Sequence, residues 1–231
     1  RNMYQLAIMF VLIVTLYLPG LLRGRWSSWW IYVICGSLAM YSHYYAVFGL
    51  VAHGIYVIAC RGPYWHRWGS AMASIVLLLL PWAVVILPVF ASGQLVDPTY
   101  MAVIDYLILV AKDFALGPVV SADVATWAAI ISVLLFLVGA VYVSRGDKRS
   151  WGAMLIAWPM ITLAGIYAVV LRRSTFNTFY FLLAFPAIYV TVAAGWQLFF
   201  NREPLRKLSN VFMILGLGLI GYGLRNHYFV P

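Results

Sequence analysis

Charged residues are scarce in this chain. Of its 231 residues 9% are charged, six of them acidic, and 65% are hydrophobic, whereas soluble domains carry about 25% charged residues. This composition excludes an ordinary soluble domain and predicts an all-α, polytopic transmembrane helical bundle of about eight helices. The net charge of +9 does not indicate nucleic acid, because the basic residues are scattered among loop ends, where they set membrane orientation. Anionic membrane lipids are the expected partners.

Cysteine and catalytic motifs are also scarce. The two cysteines, Cys35 and Cys60, lie in apolar segments and predict no disulfide framework. The sequence has no HExxH, no cysteine-pair metal spacing, no P-loop and no nucleophile elbow. Gly216, Gly218 and Gly221 match GxGxxG, but without a preceding strand they indicate glycine packing in a membrane helix.

The N-terminus shows no signal peptide. The first residue is arginine, and no charged region precedes a short apolar stretch with a cleavage site. We expect the chain to be a fragment whose N-terminal part is missing, within a single transmembrane domain over residues 1–231.

The apolar stretch from Trp29 to Cys60 sets the topology. As one helix it would be about 48 Å long, against a hydrocarbon core of about 30 Å. We therefore expect a short helix hairpin over residues 29–60 that turns near Tyr41–Tyr44. The remaining predicted spans are Met3–Leu22, Ala71–Phe90, Ala125–Ser144, Gly152–Leu171, Phe179–Phe200 and Val211–Leu224.

Residues 91–124 form the longest predicted loop. In its centre, Thr99–Leu116, a helical pattern brings Asp105, Lys112 and Asp113 into one sector, which predicts an interfacial helix. With the hairpin, ten of the fifteen basic residues fall on one face, which should be cytoplasmic. They are Arg23, Arg25, Arg61, Arg67, Arg145, Lys148, Arg149, Arg202, Arg206 and Lys207.

The hairpin turn and the loop after residue 171 hold the candidate site residues. His43, flanked by Tyr41, Tyr44 and Tyr45, could donate to a lipid phosphate as a partly cationic group, or bond a neighbouring carbonyl. Arg172-Arg173 opposes the orientation rule, which suits an anion site or a solvated charge pair.

Two further groups have mainly structural interpretations. His53 lies on a small-residue face with Ala46 and Gly49, which favours close helix packing with His53 bonding across, over a proton relay. The loop acids are expected to be the solvated side of the interfacial helix and its caps, with a general base as the alternative. These acids are Asp97, Asp105, Asp113 and Asp123.

Four segments carry a family resemblance. Arg1-Asn-Met-Tyr4 opens a helix, Trp30 opens the next, Leu38-Ala-Met-Tyr-Ser-His-Tyr44 forms a turn, and Thr178-Phe-Tyr-Phe-Leu-Leu-Ala-Phe-Pro186 opens a late helix. Their order and spacing resemble bacterial members of the dolichyl-phosphate-mannose–protein mannosyltransferase-like group of the GT-C superfamily.

The resemblance implies an enzyme of the bacterial cytoplasmic membrane, with its active face outward. It implies transfer of a sugar from a polyprenyl-phosphate carrier to a lipid, glycan or protein. The catalytic acid is expected upstream of Arg1, no cofactor is specified, and a divalent metal stays an open alternative. The residues implied at the carrier phosphate and substrate are Arg1, Tyr4, His43, Tyr44, Arg172, Arg173 and Tyr180.

One departure and two rival functions complete the sequence-based interpretation. Relatives often have an Arg-Tyr pair where this chain has Phe179-Tyr180, which leaves Tyr180 as the polar group there. A transporter or lipid flippase, with His43 and His53 lining a path, is the alternative function; a membrane scaffold is a third.

Overall fold

The computed structural model describes residues 2–60, 65–91, 102–115, 122–170 and 178–200. Within these ranges the chain is helical and has no strand, which confirms the predicted all-α class. The helices are α1 Asn2–Leu22, α2 Trp26–Ser42, α3 Ala46–Cys60, α4 Trp65–Ala91, α5 Val103–Ala115, α6 Ala122–Val143, α7 Arg149–Val170 and α8 Phe185–Phe200, with short 3₁₀ helices at Gly146–Lys148 and Thr178–Leu183.

Four of these helices are long and apolar enough to cross a membrane. By length and composition, the candidate membrane spans are Met3–Leu22, Trp65–Val85, Asp123–Val143 and Arg149–Val169. The helix α3 is apolar but shorter. The chain is therefore a membrane protein, as its composition predicts. The predicted last span, Val211–Leu224, lies outside the described residues.

The chain divides into two compact units. The first comprises residues 1–101 and 146–187, and the second comprises residues 102–145 and 188–231. The helix α8 begins in the first unit and continues in the second from Ile188. That the whole chain forms a single transmembrane domain stays a prediction.

The first unit is built from α1–α4, α7 and the Thr178–Leu183 3₁₀ helix. Within it α1 packs along α2, α2 along α4, and α3 along α7. Tyr56 contacts Trp151 near the start of α7, and a Cβ on Gly165, near its end, would lie 2.2 Å from the Phe48 ring. The α3 and α7 helices are therefore antiparallel, and glycine lets them approach closely.

The α2–α3 pair doubles back at His43, where the backbone is extended (φ −161°, ψ 122°). Tyr32 in α2 and His53 in α3 are joined by a hydrogen bond of 2.8 Å between the Tyr32 hydroxyl and Nδ1 of His53. In one continuous helix these residues would be about 30 Å apart. The two helices therefore form a hairpin, with its turn where the sequence predicts one.

The other end of the first unit is basic and aromatic. Arg67 donates a hydrogen bond to the Gly24 carbonyl, and the Trp29 indole donates to Ser70 Oγ at 2.9 Å. The α1–α2 turn and the start of α4 therefore lie at the same end. We name this region, residues 23–30 together with 65–70, the basic end. His43 lies at the opposite end of α2.

The second unit contains α5, α6 and most of α8. Tyr106 and Val110 of α5 are buried, and α5 packs on α6. A Cβ on Gly139 would lie 1.9 Å from the Thr191 carbonyl oxygen, and one on Gly195 would lie 2.2 Å from the Leu135 carbonyl oxygen. The α6 and α8 backbones are therefore in contact, which only glycine permits at these positions.

Two predicted helix starts are wrong by six residues each, and those of α6 and α7 are three residues late. The helix α4 begins at Trp65 rather than Ala71, because the interfacial aromatic residues are part of the helix rather than of a loop. The segment predicted to span from Phe179 instead forms the Thr178–Leu183 3₁₀ helix, and α8 begins at Phe185. Proline lacks an N–H and favours the first helical turn, so Pro186 places the α8 start there.

Candidate functional site

Aromatic side chains cluster at the end of the first unit that holds the His43 turn. The ring centroid of Tyr4 is 4.4 Å from that of His43, and Tyr44 stacks on His43 at 4.9 Å with nearly parallel planes. Tyr180 lies 6.2 Å from both Tyr4 and His43. Tyr45 completes the group, 5.0 Å from Tyr180. We name these five residues the aromatic cluster.

Three separate parts of the chain supply this cluster. Tyr4 lies in the first turn of α1, His43, Tyr44 and Tyr45 form the α2–α3 turn, and Tyr180 lies in the Thr178–Leu183 3₁₀ helix. Because both α1 and α7 contact that 3₁₀ helix, the late segment is held against the hairpin turn. The cluster thus depends on the tertiary fold and not on local sequence alone.

The cluster has a buried floor and a partly exposed surface. Tyr45 is 2% exposed and stacks on Phe48 at 5.6 Å. Tyr4, His43, Tyr44 and Tyr180 are only partly buried. Four aromatic rings therefore remain accessible above a fixed base.

The tautomer of His43 follows from its backbone contacts. The Tyr45 backbone N–H donates to Nδ1 of His43 at 3.3 Å, so Nδ1 acts as an acceptor. The proton of the neutral ring is therefore on Nε2, for which the described residues provide no hydrogen-bond partner. His43 thus offers one N–H donor at the cluster.

The charge of His43 differs from the sequence-based expectation. Burial lowers the pKa of His43 from 6.5 to about 4, because a desolvated imidazolium is unfavourable. The ring is therefore neutral at pH 7, and the expectation of a partly cationic group is wrong. An anion placed against Nε2 would oppose this effect and raise the pKa again.

The sequence-predicted site residues have different outcomes. Tyr4, His43, Tyr44 and Tyr180 lie together in the aromatic cluster. The predicted arginines lie outside the described residues: they are Arg1, Arg172 and Arg173. The Tyr41 hydroxyl instead donates to the Leu78 carbonyl of α4 at 2.7 Å.

The second histidine of the hairpin is part of the packing. His53 is fully buried, and its Nε2 and Nδ1 are bonded to Thr15 Oγ1 at 2.9 Å and to the Tyr32 hydroxyl at 2.8 Å. Trp68 Nε1 donates to that hydroxyl at 3.1 Å. This confirms the prediction that His53 bonds across a close helix contact.

The hydrogen-bond directions in this network are determined. The Thr15 hydroxyl donates to the Val11 carbonyl at 2.7 Å, so it must accept from Nε2–H of His53. Nδ1 then accepts from the Tyr32 hydroxyl, whose oxygen accepts from Trp68. Every proton has one acceptor, and a neutral His53 links α1, α2, α3 and α4.

Acidic residues are not part of the aromatic cluster within the described ranges. Asp105 and Asp123 lie in the first turns of α5 and α6, where a carboxylate favours the helix dipole. Burial raises the pKa of Asp113. Among the residues that the structure describes, no group of three or more His, Cys, Asp or Glu could hold a metal ion.

The aromatic cluster can hold a ligand with one flat apolar face and one hydrogen-bond acceptor. Partly exposed rings stack on apolar ring faces, and the neutral histidine donates to an oxygen. The sequence did not identify Tyr45 as the buried base of the cluster. The feature that could have indicated it is its position between the polar turn and the small-residue face of α3.

No protein-family model matches the chain, and neither a curated protein nor a solved structure is significantly similar to it.

Proposed function

We propose that this protein is a glycosyltransferase that takes a sugar from a polyprenyl-phosphate carrier. The acceptor is a lipid, glycan or protein at the outer face of the membrane. The observation that carries the proposal is the aromatic cluster itself. Tyr4, His43, Tyr44 and Tyr180 come from three distant parts of the sequence and pack together, and the family resemblance implies all four at the carrier phosphate and substrate.

The chemistry of the cluster suits a lipid-linked sugar. Tyrosine rings offer faces for a sugar ring, and Nε2–H of His43 can donate to a phosphate oxygen. When the glycosidic bond breaks, the carrier phosphate keeps the electron pair and gains negative charge. A donor fixed at that position stabilises the departing phosphate more than the bound substrate. The resemblance implies Arg172 and Arg173 at the same phosphate, where their positive charge would add to this stabilisation.

The two ends of the first unit support an outward-facing site. Arg23, Arg25 and Arg67 belong to the basic end, which the orientation rule assigns to the cytoplasm. The aromatic cluster lies at the other end of α1 and α2. A sugar carrier presented at the outer surface of a bacterial cytoplasmic membrane would meet the cluster from that side.

Binding of a polyprenyl phosphate tests the proposal without requiring the acceptor or the catalytic acid. The purified chain in phosphatidylcholine nanodiscs is titrated with undecaprenyl phosphate and, separately, with undecaprenol, and complexes are counted by native mass spectrometry. We expect His43→Phe to weaken phosphate binding about tenfold, since a hydrogen bond to a charged group contributes about 1.5 kcal/mol. Binding of the alcohol should not change.

His66→Phe is the matched control, because His66 is exposed at the basic end. An equal loss in that variant would contradict the proposal. So would equal binding of undecaprenyl phosphate and undecaprenol by the unmodified protein. Binding titrations with a panel of carrier-linked sugars then identify the donor.

The transporter or flippase alternative has less support. It requires His53 on a path with His43, yet His53 is fully buried and both of its ring nitrogens are bonded to neighbouring helices. A buried, neutral hydrogen-bond network of this kind holds the helices together and leaves neither ring nitrogen of His53 available to a transported group. No observation among the described residues favours transport over transfer.

A further inference from the structure

The second unit contains an open groove that the proposed function does not use. The groove has a volume of about 340 Å³, at the lower end of the range of about 300–1,000 Å³ typical of small-ligand sites. It lies between α6 and α8. Its lining residues are Leu137, Val138, Val141, Tyr142, Arg145 and Leu198.

The groove is apolar along its length and cationic at one end. Leu137, Val138 and Val141 belong to the membrane-crossing segment Asp123–Val143, and all three are exposed. Arg145 is exposed two residues beyond that segment. From Leu137 to Arg145 the distance along the helix direction is about 12 Å. Apolar walls thus lie at hydrocarbon depth and the guanidinium lies at headgroup depth.

The groove lies beside a close backbone contact between α6 and α8. Gly139 and Gly195 bring α6 and α8 into backbone contact, as described above. Because that contact stops the two helices from coming any closer, the groove beside it cannot close by helix approach. A preformed groove binds a flexible chain with a smaller ordering cost than a surface that must rearrange.

We propose that this groove binds one anionic phospholipid of the surrounding bilayer. An acyl chain lies against Leu137, Val138 and Val141, and the lipid phosphate contacts the Arg145 guanidinium. Charge complementarity selects the anionic lipid. The lining has one basic residue and no acidic one, so it favours a headgroup with net negative charge over a zwitterionic headgroup, whose ammonium offsets its phosphate. The proposal does not rest on the transferase function.

The test compares two lipids with the same acyl chains and different headgroup charge. The purified full chain is titrated with dioleoylphosphatidylglycerol or dioleoylphosphatidylcholine, and bound lipid is measured by native mass spectrometry. We expect phosphatidylglycerol to bind at least about fivefold more tightly, the effect of one basic residue near an anionic headgroup. Arg145→Gln should remove this preference, whereas Arg25→Gln, which removes the same charge outside the groove, should keep it.

A second pair of variants tests the apolar wall. Val138→Phe fills the groove and should weaken binding of both lipids about tenfold or more. Val133→Phe adds the same bulk at an exposed α6 position that does not line the groove, and should leave both affinities unchanged. Unaltered far-ultraviolet circular dichroism in both variants shows that folding is not the cause.

Several results would overturn the proposal. Equal affinities for the two lipids in the unmodified protein would remove the headgroup contact. Glycerol phosphate that competes as well as the complete lipid would show a headgroup site without an acyl chain. If Val138→Phe instead disrupted an oligomer and left lipid binding intact, the groove would be a contact between protein helices.

Discussion

The number of interhelical hydrogen bonds that each hydroxyl makes around His53 gives a quantitative prediction. Tyr32→Phe removes the hydroxyl that both donates to Nδ1 of His53 and accepts from Trp68 Nε1. Thr15→Val removes a single acceptor, that of Nε2–H, and leaves the Val11 carbonyl with its helical partner. The tyrosine substitution therefore breaks two interhelical hydrogen bonds and the threonine substitution breaks one.

The expected losses follow from hydrogen bonds measured in membrane proteins. Such bonds contribute about 0.6 kcal/mol on average and at most about 1.7 kcal/mol. Tyr32→Phe should thus lower the free energy of unfolding by about 1–3 kcal/mol, and Thr15→Val by about half as much. Tyr17→Phe, the same change at an exposed position of α1, should alter it by less than about 0.5 kcal/mol.

Unfolding titrations with dodecyl sulfate in mixed micelles measure these differences. The double variant completes a cycle that reports whether both bonds act through His53. If Thr15→Val cost as much as Tyr32→Phe or more, the assignment of two interhelical hydrogen bonds to the Tyr32 hydroxyl and one to Thr15 would be incorrect. If Tyr17→Phe matched Tyr32→Phe, the hydroxyl network would not stabilise the fold at all.

Two further predictions concern helix contact and pH. Gly139→Ala should lower the free energy of unfolding by about 1–3 kcal/mol, because the added Cβ would overlap the Thr191 backbone carbonyl, which a helix holds in place. Gly69→Ala is the control: nothing lies within 4 Å of a Cβ at that position, so the free energy of unfolding should not change in the same titration. Because burial lowers the pKa of His43 to about 4, the unfolded chain binds more protons between about pH 6.5 and 4. The free energy of unfolding should therefore decrease as the pH is lowered from about 6.5 to about 4 in the unmodified protein, and it should decrease less in His43→Gln. Parallel plots of unfolding free energy against pH for the two proteins would contradict the assigned burial of His43.

Helix type and approximate position could be predicted from the sequence. Apolar length placed α1 within one residue of its observed start, and the length of the Trp29–Cys60 stretch required the break that the structure shows at His43. Helix starts at aromatic interfaces could not be predicted as well. Tryptophans such as Trp65 mark the membrane surface whether they lie in a loop or in a helix, so composition does not separate the two cases.

The contacts between helices required tertiary information. The sequence indicated that His53 bonds to another helix, but Thr15 and Tyr32 became its partners only through the register between α1, α2 and α3. Gly139 and Gly195 each stand alone in an apolar helix and form no motif within it. Glycine disfavours helix formation, so a single glycine within an apolar helix indicates a position where another helix backbone comes close.

The pairing of α3 with α7 has a consequence for synthesis. Phe48 and Gly165 are separated by roughly 117 residues, which a ribosome translates in about 6 to 23 s at the usual rates. During that interval the small-residue face of α3 lacks its final neighbour. The hydrogen-bond partners of His53, Thr15 and Tyr32, are both translated before it. The His53 ring can therefore enter the bilayer neutral and hydrogen-bonded. Polar pairing is completed early in translation, and only apolar packing is left for the helix that arrives last.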